Sequence, residues 1–286
     1  MTSDFINQTN NALGKVYLVG AGPGAVDLIT VRGAKLLEQA DIVFYDALVD
    51  LEMLELCPQA EKVAVGKRCG KLSSAQQFIN KRLVDAAKKH QIIVRLKGGD
   101  PMLFGRADEE ISVLKQEGIS VEVIPGITAA LAGAASIQQS LTLRGISRSV
   151  AFITLAQATE NAPNSNQCAI QPIVNPHADT LVYYMGRKDA AKIAKQLIEQ
   201  SLVNNASFHG NNTPVHILEA VSTSRERLWS STLEKLAAGY ADDWFDNTSP
   251  ALIMIGHALE KSEGPTSKIH DGLQDSQIIA NSIRRA

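Results

Sequence analysis

No stretch of this sequence is apolar for long enough to cross a bilayer: a run such as residues 251–255 falls far short of the roughly 18 consecutive apolar residues a spanning helix needs. Cysteine is equally scarce. Cys57, Cys69 and Cys168 share no C-x-x-C spacing, and an odd number of thiols in 286 residues argues against a disulfide framework. A reducing, cytoplasmic setting is therefore expected. The amino terminus, with Asp4, Asn7, Gln8, Asn10 and Asn11, lacks both the basic and the apolar part of a secretory signal, and a disordered arm is expected over residues 1–13. His90, His177, His209, His216, His257 and His270 show no H-E-x-x-H or comparable spacing, so no metal is expected. There is also no basic tail with interleaved aromatics, which argues against nucleic acid as a partner.

What is present is unevenly distributed charge. The formal net charge is only −2, yet residues 62–106 hold eleven Lys or Arg against two acids, Asp85 and Asp100. Such a segment favours an anionic ligand. The plainer reading of Lys81, Lys88 and Lys89 is the solvated face of a helix.

Hydrophobic period and punctuation predict strands at 15–20, 42–45, 63–65, 92–96 and 121–124, separated by helices after Thr30 and at 74–89, 103–116 and 128–135. Alternation of this kind predicts an α/β fold with a mainly parallel sheet. A second set of strands is expected at 150–155, 180–185, 215–218, 227–230 and 251–255, with helices at 189–200 and 233–238. The chain thus divides into an N-terminal α/β domain at 14–135, a linker at 136–148 and a C-terminal α/β domain at 149–260. Residues 157–179 read as an irregular excursion, and the tail 261–286 carries no assignment.

Two loops follow strands in the places where open α/β sheets hold ligands. The first, Gly20-Ala21-Gly22-Pro23-Gly24, has glycines for a sharp turn and close backbone approach, but G-x-G-x-G is not the dinucleotide spacing and Pro23 removes a backbone donor. A Rossmann dehydrogenase is disfavoured; a structural tight turn is the alternative. The second runs from Arg95 through Gly98, Gly99, Asp100, Leu103 and Phe104 to Arg106. It lacks the G-K-[ST] ending of a phosphate-binding loop that serves nucleotide triphosphates. Its glycines expose backbone, Asp100 can accept hydrogen bonds from a ligand, and Phe104 can wall a ring.

Taken in order, V-G-A-G-P-G at 19–24, Tyr45-Asp46, Val65-Gly66-Lys67-Arg68, R-L-K-G-G-D-P-x-x-F-G-R at 95–106 and V-I-P-G-I-T-A-A at 123–130 resemble the tetrapyrrole methylase family, in its uroporphyrinogen-III C-methyltransferase branch. The resemblance continues through Leu141-Thr142, Arg144, Tyr183-Tyr184-Met185-Gly186 and Ser249-Pro250-Ala251-Leu252 and covers about residues 14–260. It implies two α/β domains with S-adenosylmethionine in the cleft between them, S-adenosylhomocysteine as product, a tetrapyrrole substrate and a homodimer. By it, Pro23, Gly98, Gly99, Asp100, Leu103, Thr128, Ala129, Met185 and Val221 fall at cofactor positions. Asp46 and Lys67 fall at acid and base positions; Arg106, Glu109 and Arg144 fall where the family grips substrate or removes a proton, with Met185 alongside. Each has a plainer alternative: Asp46 as a helix cap, Lys67 as a solvated cation, Met185 as core filling, Arg144 as an exposed hinge.

The chain departs from the family pattern at three places. Leu143 and Ala156 stand where histidines are usual, removing donors and a proton carrier, and Val221 stands where a glycine lets the adenine approach. The resemblance implies C-methylation of uroporphyrinogen III at two ring positions, giving precorrin-2 at the branch toward sirohaem and cobalamin. A methyltransferase for another precorrin, and a divergent relative that binds the cofactor or a tetrapyrrole without efficient turnover, are the alternatives.

Overall fold

Short apolar runs closed by glycine turns favour alternating strands and helices, and the structure, a computed structural model, describes residues 12–66, 72–155, 177–204 and 209–260. The first half runs β1 (Lys15–Gly20), α1 (Val31–Leu37), β2 (Ile42–Tyr45), β3 (Glu61–Ala64), α2 (Leu72–Ala87), β4 (Ile92–Lys97), α3 (Ala107–Gln116) and β5 (Val121–Ile124). Its sheet has the order β3-β2-β4-β1-β5 and is parallel throughout. Parallel neighbours require long crossovers, which α1, α2 and α3 supply, with the 3-10 turn Leu51–Leu56 between β2 and β3. Thr30 caps α1 as expected, its hydroxyl accepting from Gly33 N at 3.2 Å.

Both faces of this sheet are covered, which is why its central strands read as continuous apolar runs. On one face Ile79, Leu83 and Val84 of α2 and Leu114 of α3 pack on Val16, Leu18, Phe44 and Ile93. On the other, Leu37 of α1 and Met53 and Leu54 of the 3-10 turn Leu51–Leu56 pack on Val19, Val43, Val94 and Leu96. Full burial of one such side chain contributes about 1.5–3 kcal/mol, so the two layers fix the height of every loop at the strand ends.

The second half comprises α4 (Ala129–Ser136), β6 (Val150–Thr154), β7 (Thr180–Tyr184), α5 (Ala190–Asn204), β8 (Pro214–Glu219), β9 (Arg227–Thr232), α6 (Leu233–Ala237) and β10 (Ala251–Ile255). Its order is β6-β7-β10-β8-β9, with β6 and β7 parallel and every other pairing antiparallel. One face carries α5 and α6 through Ile193, Leu197, Leu233 and Leu236. The opposite face carries α4. Its small residues let it lie close: a Cβ on Gly133 would stand 3.3 Å from Leu252 Cδ2 and 3.5 Å from Met254 Sδ. So α4, grouped with the first half by its place in the chain, gives its buried face to the second sheet.

One expected boundary is corrected. The helix expected from residue 103 starts at Ala107, because Phe104 and Arg106 both take left-handed backbone with φ of 55° and no helix can run through them. Most of the expected arm 1–13, the excursion 157–179 and the tail 261–286, together with Lys67 and Ala156, lies outside the described residues. Among the described residues no helix is long and apolar enough to cross a membrane.

Candidate active-site cleft

Three loops at the carboxyl ends of β1, β4 and β5 meet with no room between them. A Cβ on Gly20 would stand 2.6 Å from Gly126 Cα and 2.7 Å from Gly99 O, and one on Gly126 would stand 2.2 Å from Gly99 O. Gly22 and Gly99 exchange backbone hydrogen bonds, Gly99 N to Gly22 O at 2.7 Å and Gly22 N to Gly99 O at 3.2 Å. Gly98 is pressed from the other side, where a Cβ would meet Leu48 Cβ at 2.8 Å. The glycines of three sequence motifs thus form one backbone hub.

Carboxylates lock the hub. Asp100 accepts from Met102 N at 2.8 Å through Oδ1 and from Gly126 N at 2.9 Å through Oδ2, joining the β4 loop to the β5 loop. Asp46, at the end of β2, accepts from Leu48 N at 2.9 Å and from Gly98 N at 3.4 Å. It caps no helix; the neighbouring 3-10 turn is capped by Asp50. Arg95 NH2 lies 3.9 Å from Asp46 Oδ2. Below the hub, Glu110 of α3 accepts from Arg95 Nε, Lys97 Nζ and Gln76 Nε2, each at 3.2 Å. Burial, and after it the neighbouring Arg95, pulls Lys97 below the ordinary lysine range against the opposite pull of Glu110. Reading the sequence did not find this network; the unusual placing of Arg95 and Lys97 within an otherwise apolar strand was its one signal.

The second half closes the cleft from above. Its strands β6, β7 and β8 run in the same direction, and the loops after β7 and β8 face the hub. A Cβ on Gly24 would stand 2.5 Å from Thr223 Cγ2, and Ser222 Oγ accepts from Ala25 N at 3.0 Å. Tyr184, at the end of β7, shares a 2.6 Å hydrogen bond with Thr128 Oγ1 and accepts from Ala130 N at 3.1 Å, fixing the start of α4. Its ring centroid is 5.1 Å from that of Phe104 on the β4 loop and 6.1 Å from that of Phe152. Left-handed backbone at non-glycine residues recurs around this cleft, at Phe104, Arg106, Met185, Ala220 and Ser222. Such conformations cost about 1–3 kcal/mol each and cluster where a scaffold must present a ligand site.

The structure brings Pro23, Gly98, Gly99, Asp100, Leu103, Thr128 and Ala129 to these convergent loops, with Asp46 beside them. Met185 does not fill the core; it follows β7 and is 56% exposed. Arg106 and Glu109 engage each other bidentately, Nε to Oε1 at 2.6 Å and NH2 to Oε2 at 2.8 Å, rather than standing as two separate grips. Arg144 and Leu143 lie on an exposed turn closed by Leu143 N to Ser147 O at 3.0 Å. Val221 is 5% exposed and belongs to the core cluster that includes Ala130, Ala132 and Leu218, so its side chain turns into the core under α4. Phe152 and Tyr184 were missed, because only the tertiary fold sets Tyr184 against both Phe104 and Phe152. Among the described residues, no cluster of His, Cys, Asp or Glu is arranged to hold a metal ion.

Residues 15–237 match the family described as Tetrapyrrole (Corrin/Porphyrin) Methylases. A uroporphyrinogen-III C-methyltransferase of Synechocystis sp. is 41% identical over 249 residues, covering 86% of this chain and 90% of the relative. A siroheme synthase of Psychrobacter sp. is 37% identical over 272 residues, 95% of this chain but 51% of the relative. The chain therefore spans about half the length of the siroheme synthases it matches. Among solved structures, the uroporphyrin-III C-methyltransferase of Thermus thermophilus complexed with S-adenosylhomocysteine superposes with a TM-score of 0.69 at 35% identity, covering 86% of this chain and 99% of that one.

Proposed function

Because the chain belongs to the tetrapyrrole methylase family, we propose that it is an S-adenosylmethionine-dependent methyltransferase that acts on uroporphyrinogen III at two ring positions to give precorrin-2. The observation that carries this reading is the convergence of the glycine hub, the start of α4 and the β7 and β8 loops on one cleft. Its floor is backbone, and its rim carries the exposed apolar side chains Leu48, Met102, Phe104 and Met185. That lining suits an adenosyl group and a macrocycle that must lie against each other. When bound, S-adenosylmethionine supplies an electrophilic methyl group on a sulfonium.

In this reading Pro23, Gly98, Gly99, Leu103, Thr128, Ala129 and Met185 hold the donor. Asp100 shapes the loop that receives it, because both its oxygens already accept backbone N–H groups. Val221 contributes through its backbone, with its side chain in the core. Asp46, and Lys67 from outside the described residues, handle the proton that the methylated ring must lose. Arg106 and Arg144 meet substrate carboxylates, for which a planar guanidinium fork is well shaped. A substrate carboxylate competes with Glu109 for the fork of Arg106. Holding donor and acceptor in line in such a cleft supplies about 7–11 kcal/mol in favourable cases, so the protein contributes mainly alignment. The same reading makes the protein a cytoplasmic homodimer.

The test is an anaerobic incubation of the protein with S-adenosylmethionine and enzymatically generated uroporphyrinogen III, with products weighed by mass spectrometry. Two added methyl groups are expected. Methylation of a later precorrin instead would transfer the assignment to a sister enzyme. A second reading, binding without turnover, is favoured by the apolar Leu143 on its exposed turn; it predicts calorimetric binding of S-adenosylhomocysteine and no methylated product.

A further inference from the structure

The loop 98–106 carries Gly98, Gly99, Asp100, Leu103 and Arg106 of the proposed site, and its two ends are joined underneath. Lys97 is the last residue of β4 and Glu110 lies in the first turn of α3. Lys97 Nζ donates to both Glu110 oxygens at 3.2 Å. The two side chains are 5% and 0% exposed. Glu110 is held in turn by Arg95 Nε and by Gln76 Nε2 of α2, which also donates to Asn80 Oδ1 at 3.0 Å. The lysine stem runs directly beneath the loop, since a Cβ on Gly105 would stand 3.2 Å from Lys97 Cε and 2.5 Å from Pro101 O.

Stability alone does not account for this arrangement. Two cations and one carboxylate are buried together, and the next carboxylate, Asp46, is 3.9 Å from Arg95. Replacing such a buried set by apolar side chains is often neutral or stabilising. The loop itself holds Phe104 and Arg106 in left-handed backbone, which persists only where the surroundings over-determine it. Asp100 restrains the front of the loop, and the ion pair restrains its back.

We propose that Lys97 and Glu110 form a clamp across the base of the loop 98–106, acting as positioning residues that keep it in its ligand-receiving shape. Where it concerns donor binding, the inference rests on the function proposed above; where it concerns the loop, it does not.

The test uses the full chain with Lys97→Met, which leaves Glu110 paired with Arg95, and with Lys97→Arg, which restores a cation. Hydrogen–deuterium exchange is followed in peptides covering 98–106 and 92–96, alongside melting temperature and calorimetric affinity for S-adenosylhomocysteine. In Lys97→Met, exchange over 98–106 rises at least tenfold and over 92–96 stays unchanged. The dissociation constant rises at least fivefold with the melting temperature within a few degrees, and Lys97→Arg returns both readings to within about threefold of the parent. Unchanged exchange over 98–106, or an equal rise in the strand, overturns the clamp. If Lys97→Met does not fold, Lys97→Gln, which keeps a donor toward Glu110, is read by the same criteria. A parent protein that fails to bind S-adenosylhomocysteine overturns the proposed function, while loop exchange still decides the clamp.

Discussion

At the scale of single residues, the cleft is built by side chains that are missing as much as by those present. Gly126→Ala would place a methyl 2.2 Å from Gly99 O and 2.8 Å from Gly20 Cα, both backbone atoms that cannot swing aside. Overpacking of this kind costs about 1–3 kcal/mol, and here it also pushes two ligand loops apart. We expect Gly126→Ala to lower the urea midpoint and to abolish calorimetric binding of S-adenosylhomocysteine, whereas Gly118→Ala, with nothing within 4 Å but a backbone φ of 71°, lowers the midpoint and leaves binding unchanged. Val221 makes the opposite case. The family pattern has glycine at this position, but the buried site predicts that Val221→Gly removes core volume under α4 and destabilises the fold by about 1–3 kcal/mol with no gain in donor affinity. Denaturation and calorimetry on the same samples decide it. The glycines were legible in the sequence because glycine runs after strands have few other uses. The direction of the Val221 side chain was not, because a turn between Ala220 and Ser222, both left-handed, sets it.

At the scale of elements, strands were legible and loop conformations were not. Apolar runs announce β1, β4 and β10 by composition alone, while the start of α3 was misplaced because its apolar spacing extends back into residues that the backbone holds left-handed. The turn before β10 shows what such a loop can hide. Asp246 accepts from Thr248 N and Thr248 Oγ1 at 2.9 Å and from Ser249 Oγ at 2.7 Å, and the Thr248 backbone bond leads in lowering its pKa to about 2. A carboxylate depressed by folding contributes stability that is present above the unfolded value, about 3.9, and is lost as pH falls toward the folded one. The expected outcome is a melting temperature that drops between about pH 4 and pH 2 in the parent and drops less over the same interval in Asp246→Asn. Equal slopes in thermal melts across that range would remove Asp246 from the acid response.

At the scale of the whole molecule, the first sheet follows from its sequence because parallel strands must alternate with helices, whereas the second does not. Hydrophobic period gives the strands β6 to β10 but not that β10 inserts between β7 and β8, and so not that the ends of β7 and β8 face the glycine hub. The tie between the halves was equally hidden: Tyr184 reads as an ordinary strand tyrosine, yet its hydroxyl meets Thr128 Oγ1 and Ala130 N while its ring meets Phe104. Burial pushes this hydroxyl above the ordinary tyrosine range, so it stays neutral and serves as a hydrogen-bonding post. Tyr184→Phe keeps the ring and removes the post. Losing a buried bond of this type costs about 0.5–1.5 kcal/mol, which in a chain of this size lowers the melting temperature by only a few degrees. Its larger effect should be on the cleft, because Thr128 would no longer be fixed against β7. We expect the dissociation constant for S-adenosylhomocysteine to rise several-fold while the ring contact with Phe104 keeps the halves together. Unchanged affinity with the same small loss of stability would mean that the ring alone sets the geometry of the cleft.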